Sequence, residues 1–167
     1  LDSVDETVFD KKFDLIFSNF GGLNCISPES MQKLMRKIPK LLSSQGRFVA
    51  VIMPKFCLWE SLYFLLKLKL FKIFRRWTSK DVKADLQGVT IKTWYYRPGQ
   101  IKKWTKNDFK CISTRPVGFA LPPSYLESFL IKRPGLLHQL DRLEKKLNRF
   151  SFLSGMADHY LIDLKLK

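Results

Sequence analysis

Apolar and polar positions along the chain alternate between short continuous runs and longer helical repeats. Phe13-Asp14-Leu15-Ile16-Phe17-Ser18-Asn19-Phe20 closes on Gly21-Gly22 and predicts a buried strand whose polar residues emerge at its carboxyl end. Ser27-Pro28 then offers an N-cap followed by proline at the first helical position, and Met31, Leu34, Met35, Ile38, Leu41 and Leu42 recur at helical spacing. Pro39 is expected to kink that helix or end it early. After the turn signal Gln45-Gly46, the run from Arg47 to Pro54 reads as a second strand, rich in β-branched and aromatic residues. Strand, helix and strand make a βαβ unit, and near-continuous apolar strands suit a parallel sheet covered on both faces. Such sheets bind ligands beyond the carboxyl ends of their strands, so Ser18 to Asn24 and Met53 to Glu60 are where chemistry is expected.

From Cys57 to Trp77, a 100° helical step gathers Trp59, Leu62, Tyr63, Leu66, Leu70, Ile73, Phe74 and Trp77 on one arc of about 120°. The segment predicts one long amphipathic helix with this arc turned to the core. Its far face mixes Leu58, Phe64, Leu65, Leu68 and Phe71 with Lys67, Lys69, Lys72, Arg75 and Arg76, which leaves room for an interfacial or lipid-facing role. Ser79 to Gln87 reads as a loop or short helix, and Val89 to Tyr96 alternates as a strand that stops at Arg97-Pro98-Gly99. Phe109 to Thr114 and Val117 to Leu121 predict a strand or a broken strand. Leu136, Leu140, Leu143, Leu147 and Phe150 predict an amphipathic helix, and His159 to Leu164 a closing strand. The expected organisation is a partial α/β core over residues 1–54, a basic cap or insertion over 55–108, and a strand-helix-strand over 109–167 that completes the sheet.

Composition changes this picture in one place. The 167 residues carry 30 Lys and Arg against 15 Asp and Glu, a net charge of +15, and 46% of them are hydrophobic. That apolar content is enough for a core and argues against disorder. Residues 1–54 carry 7 basic and 6 acidic groups, residues 55–110 carry 14 and 4, and residues 111–167 carry 9 and 5. The excess therefore belongs to the middle segment, whose basic face suits solvent, nucleic-acid phosphates or a bilayer with anionic lipids. Cys25, Cys57 and Cys111 form an odd, scattered set, which disfavours a disulfide framework and fits a reducing, cytoplasmic setting. With two histidines and no C-x-x-C, no Cys/His zinc site is expected. Phe56 to Phe74 is the longest apolar stretch, but Glu60, Lys67, Lys69 and Lys72 interrupt it, so it does not read as a membrane span. The acidic first ten residues do not read as a signal peptide.

The sequence contains no G-x-S-x-G, H-E-x-x-H, P-loop or G-x-G motif. Resemblance to a known family adds what motifs do not. The stretch Phe13 to Cys25 resembles the fourth strand and following loop of class I S-adenosylmethionine-dependent methyltransferases. Leu41 to Val51 is similar to that family's fourth helix, turn and fifth strand, with Ser44-Gln45-Gly46 where a Pro-Gly-Gly-like turn is usual. The strings Lys55-Phe56-Cys57-Leu58-Trp59-Glu60, Trp94-Tyr95-Tyr96-Arg97-Pro98, Leu121-Pro122-Pro123-Ser124-Tyr125-Leu126-Glu127 and Ala157-Asp158-His159-Tyr160-Leu161 resemble, in this order, a bacterial branch of the superfamily. The resemblance implies an α/β fold: the C-terminal part of a Rossmann-like class I methyltransferase sheet with an inserted helical/β cap. It places the glycine-rich loop and ribose-binding acid ahead of Leu1, so the chain is expected to be a fragment that binds the cofactor poorly alone. An exposed edge on its first strand would favour a homodimer or strand exchange.

The same resemblance assigns residues. Asp2 loosely matches an acid that contacts the adenine, or is a solvated acid near the terminus. Asn19, Phe20 and Gly21 fall where the cofactor is held; Asn19 faces methyl donor and acceptor, or ties the turn through backbone hydrogen bonds. Asn24 has the same two readings, with the turn favoured. Glu60 is a first-turn carboxylate favoured by the helix dipole, or an acid with a substrate or base role. Trp59, Tyr96 and Tyr125 are candidates for an acceptor pocket and His159 for a proton acceptor, and each also fits a core or rim position. The implied activity is methyl transfer from S-adenosylmethionine to a small-molecule or lipid-like acceptor, with Asn19 to Asn24 as the floor and Lys55 to Arg97 as a cap that selects the acceptor. The competing reading is a non-catalytic basic module that binds nucleic acid or anionic membrane. Of these two partners nucleic acid is the less expected, and peripheral contact with an anionic membrane would make a cytoplasmic protein membrane-associated.

Overall fold

Two parallel strands, β1 (Phe13–Ser18) and β2 (Leu42–Ile52), are joined by helix α1 (Pro28–Leu41), and together they make the expected βαβ unit. The computed structural model that carries them describes residues 11–19, 21–86, 88–122 and 131–167. The side chain of Ser27 caps α1 by accepting from the Ser30 amide at 3.3 Å. Pro39 lies inside the helix, which runs two residues past it to Leu41. The expected turn at Gln45-Gly46 survives as an irregularity within β2: the register jumps from Phe13 opposite Leu42 to Leu15 opposite Arg47. Gly46 permits this tight fold-back, because a Cβ there would stand 2.9 Å from Cβ of Leu42 and 3.0 Å from the Phe13 carbonyl oxygen.

Beyond β2 the chain forms α2 (Leu58–Leu66), the hairpin β3 (Val82–Leu86) and β4 (Val89–Thr93), α3 (Pro98–Thr105), β5 (Phe109–Val117), α4 (Pro134–Leu147) and β6 (His159–Leu166). The main sheet has the order β1-β2-β6-β5, so the latest strand in sequence is threaded between two earlier ones and is antiparallel to both. The hydrophobic core lies on one face of this sheet. Met31, Leu34, Met35 and Ile38 of α1 and Ile101 of α3 pack there with Phe48, Ala50 and Ile52 of β2 and Tyr160, Ile162 and Leu164 of β6. On the opposite face, Arg47 is ion-paired to Asp163. Strand β1, expected to be buried, is instead an edge strand, and Phe13, Leu15 and Phe17 stand exposed on it. An apolar groove of about 390 Å³ runs between β1 and α1, lined by Phe13, Ile16, Leu34 and Ile38 among others.

Four further expectations need correction. The long helix from Cys57 to Trp77 stops at Leu66; Leu68 takes a left-handed conformation (φ 54°), and after one 3-10 turn at Leu70–Lys72 the chain doubles back. What overrides the helical arc is Glu60. Both Arg75 and Arg76 reach it, whereas a continuous helix would carry residue 76 about 24 Å away along the axis. Ser79 to Gln87 was expected as loop or short helix, yet Val82–Leu86 pairs with Val89–Thr93 as a hairpin. The strand read to Tyr96 ends at Thr93, because the residues after it bond to the β1 and β2 loops instead. Finally, Pro98 does not merely end a strand: it starts helix α3, a proline at the first helical position that the sequence reading did not use. Strand β5 is continuous with one irregularity between Cys111 and Ser113, and α4 is docked by Glu144, which accepts from the amides of Gly118 (2.9 Å) and Ala120 (2.6 Å).

Candidate functional site

Register decides which residues meet. Ser18 stands beside Ala50, Ile52 beside Tyr160, and Val117 beside His159. The carboxyl ends of β1, β2 and β5 and the start of β6 therefore share one rim of the sheet. Asn19, Gly21, Asn24, Trp59, Glu60 and His159, scattered over the sequence, belong to the segments that leave or enter this rim, and Tyr96, after the β3–β4 hairpin, is held to it by its amide bond to the Met53 carbonyl at 3.1 Å. Asp2, Phe20 and Tyr125 lie outside the described residues.

The floor is built by Asn24. Its side chain is fully buried; its amide donates to the carbonyls of Met53 and Trp94, and its Oδ1 accepts from the Met53 amide at 2.9 Å. Its backbone carbonyl accepts from the Trp94 amide at 2.7 Å. Asn24 thus fastens the loop after β1, the end of β2 and the segment after β4 at one point, in the turn-tying sense anticipated for it. Gly21 has φ 70°, and a Cβ would come within 3.1 Å of the Met53 methyl. Asn19 is exposed at the end of β1, with its carbonyl accepting from the Gly22 amide at 3.4 Å. Tyr96 is buried and its hydroxyl donates to the Ile26 carbonyl, while burial pushes its phenol up.

A second cluster joins α2 to the start of β6. Glu60, although in the first turn of α2, is buried and receives Arg75 on both oxygens (2.6 and 3.0 Å) and Arg76 on Oε2 (2.8 and 3.0 Å). Burial pushes its carboxyl up, but the two guanidinium groups prevail and hold it below the ordinary range. Arg76 also bonds Asp158 at 2.9 Å and lies over the ring of Tyr95 at 5.0 Å. Asp158 in turn accepts from His159 Nδ1 at 3.1 Å. Burial acts against its charge, and His159 and Arg76 more than offset that, leaving its carboxyl at about 2. Burial also lifts the neighbouring Cys57 thiol to about 11, which makes it a packing group rather than a nucleophile. Trp59 donates its indole N–H to the Phe119 carbonyl at 2.9 Å.

Between the floor and the returning cap segment lies a cavity of about 310 Å³ walled by Trp94, Tyr95, Tyr96 and Trp104, with Lys55, Gln100 and Glu29 as polar anchors. Thr78 and Ser79 close it from the cap side. Burial and the nearby Arg97 charge push the Lys55 ammonium down. Aromatic walls with a few polar groups are the usual makeup of a small-molecule site. Lys55, Tyr95, Arg76 and Asp158 were not singled out from the sequence. The doublet Arg75-Arg76 downstream of a lone apolar-helix Glu60 was the available signal, since a buried acid needs cationic partners.

A bound S-adenosylmethionine requires a backbone cradle and an acid for its ribose. In the described residues the Gly21 amide donates to the Val51 carbonyl of β2, the amides of Gly22 and Asn24 are used inside their own loop, and two rim carboxylates, buried Glu60 and half-buried Asp158, are committed to arginine. Among the described residues these groups do not form such a cradle.

No protein-family model and no curated protein sequence matches the chain. Its fold does match solved structures. A Listeria monocytogenes protein assigned as an S-adenosylmethionine-dependent methyltransferase superposes with a TM-score of 0.58 at 11% identity, over 99% of this chain and 66% of that one. The CcbJ methyltransferase of Streptomyces caelestis gives 0.53 at 9% identity, over 99% and 64%. An S-adenosylmethionine-dependent methyltransferase of Clostridium acetobutylicum gives 0.51 at 12% identity, over 99% and 61%. The chain thus spans less than two thirds of the length of each of these proteins. With its βαβ unit, its last strand inserted antiparallel into the sheet, and these neighbours, the chain has a class I S-adenosylmethionine-dependent methyltransferase-like fold.

Proposed function

We propose that this chain forms the acceptor-binding part of an S-adenosylmethionine-dependent methyltransferase that acts on a small-molecule or lipid-like acceptor. The observation that carries the reading is the aromatic-walled cavity of about 310 Å³ at the carboxyl rim, the place where sheets of this class bind ligands. S-adenosylmethionine supplies an electrophilic methyl group. This chain's residues would orient the acceptor and keep water out, which is the main demand that methyl transfer makes of a protein. Trp94, Tyr95 and Trp104 offer flat apolar surface, and Lys55 and Gln100 fix the acceptor's polar end. Glu60 and Asp158, held ionised by arginine and histidine, position the cap over the rim rather than exchange protons with an acceptor. The cofactor cradle would come from sequence joined to this chain, so the 167-residue chain alone is expected to bind the donor weakly.

The test uses the chain together with its natural upstream sequence, methyl-labelled S-adenosylmethionine, and separated polar and lipid extracts. Label transfer to one extract, reduced by Tyr95→Ala or Lys55→Met, supports the reading. No donor affinity by calorimetry, or tight salt-sensitive binding of duplex DNA without the donor, would overturn it.

A further inference from the structure

The segment that doubles back between α2 and the rim ends in a tip made of large apolar side chains facing outward. Leu66 is 83% exposed, Leu68 85% and Phe71 103%, and Leu70, Phe74 and Trp77 are each more than half exposed. Three exposed lysines, Lys67, Lys69 and Lys72, alternate with them, and residues 61–80 contain no Asp or Glu at all. Phe74 stacks on Trp77 at 5.1 Å, but among the described residues Leu66, Leu68 and Phe71 stand in the open, and Leu68 holds a left-handed backbone. A core-forming segment would turn such residues inward, and a solvated one would not carry them.

We infer that this tip is a docking surface for a bilayer containing anionic lipids. The apolar side chains would enter the headgroup and acyl boundary, and the interleaved lysines would extend their stems along it to reach lipid phosphates. Charge complementarity selects this occupant. A second copy of the tip would bring its own lysines against these, with no acid on either side to neutralise them. A bilayer satisfies both features of the tip at once. Thr78 and Ser79, immediately after the tip, line the cavity at the rim, so docking would hold that cavity close to the membrane surface. The inference rests on exposure and charge alone and is independent of the methyl-transfer reading.

The experiment is flotation of the intact chain with vesicles of phosphatidylcholine, or of phosphatidylcholine mixed with phosphatidylglycerol, at low and high salt. The chain is expected to float with the anionic vesicles, less at high salt, and barely with phosphatidylcholine alone. The double substitution Leu68→Glu with Phe71→Glu, confined to exposed side chains and checked for folding by circular dichroism, should weaken anionic-vesicle binding about tenfold or more. Failure of the unsubstituted chain to float, or flotation unchanged by L68E/F71E, would overturn the inference. Loss of binding on replacing the three lysines with glutamine but not in L68E/F71E would reduce the tip to a basic surface and also overturn it. So would a dimer that the same two glutamates dissolve while vesicles are ignored.

Discussion

Arg76 donates to Glu60 at 2.8 Å, closing a segment that carries the exposed Phe71, and both side chains are buried. This pair, with Arg75 and Asp158, ties the cap to the rim. Breaking a buried pair from one side leaves an uncompensated charge, so Arg76→Ala is expected to destabilise the fold by about 3–5 kcal/mol. Arg75, whose side chain is partly exposed, should cost about 1 kcal/mol or less when replaced by alanine. Urea unfolding of the two variants would measure this, and equal losses would contradict the hub assigned to Arg76.

Asp158 gives the molecule an acid limit. Its carboxyl sits at about 2 in the folded chain against an ordinary value of 3.8, so the folded state binds the proton less tightly than the unfolded one. Its contribution is therefore complete above about pH 4 and is lost as pH falls toward 2, a change on the order of 2 kcal/mol. Glu60, also held low, should lose stabilisation in the same direction. Stability measured against pH should fall less steeply over this window in Asp158→Asn than in the parent, and identical slopes would rule out the assignment.

Asn24 fastens three segments through one side chain. Asn24→Leu would leave the Met53 and Trp94 carbonyls and the Met53 amide without their side-chain partner, at a cost of about 3 kcal/mol. Asn24→Asp should fare no better, since a carboxylate cannot donate to two carbonyls. Thermal unfolding of both variants checks this, and an aspartate that restores parental stability would refute it.

Cysteine labelling offers a check on burial. Cys25 is exposed, whereas Cys57 is buried with its thiol pushed up to about 11. Iodoacetamide at neutral pH should modify Cys25 well before Cys57 in the native chain, with the difference abolished in urea. Mass spectrometry of timed samples would reveal the order.

Legibility of the fold followed the range of the forces at work. Helix α1 and strand β6 could be read from their own residues because each buries a local pattern: the Ser27-Pro28 cap, the Met31 to Ile38 stripe, the run from His159 onward; β1 could be read as a strand from its apolar run, although the sheet leaves that run on an open edge. The segment after Cys57 could not. Its helical arc is as regular as that of α1, but Glu60 captures Arg75 and Arg76 from fifteen and sixteen residues away and folds the segment back on itself. Helix α3 is only eight residues long, too short for a periodic signal beside Pro98. The candidate site was partly legible, since Asn19, Asn24, Glu60, Tyr96 and His159 were each noticed alone. Their convergence on one rim depends on β6 inserting beside β2, a pairing that residue types do not announce. Lys55 and Tyr95 acquire meaning only from the cavity they line.

That insertion also bears on how the chain is made. During synthesis β1 and β2 can pair as soon as Ile52 has emerged, but β2 and β5 are not joined into one sheet until β6, more than a hundred residues after β2, slides between them and pairs with both. Over that interval the inner edge of β2 and one edge of β5 are open templates for strand addition from any neighbouring chain. The nascent chain is thus most exposed to aggregation while residues 53–158 leave the ribosome, and a holdase that covers the Phe48–Ile52 edge would act at that stage rather than on the finished fold.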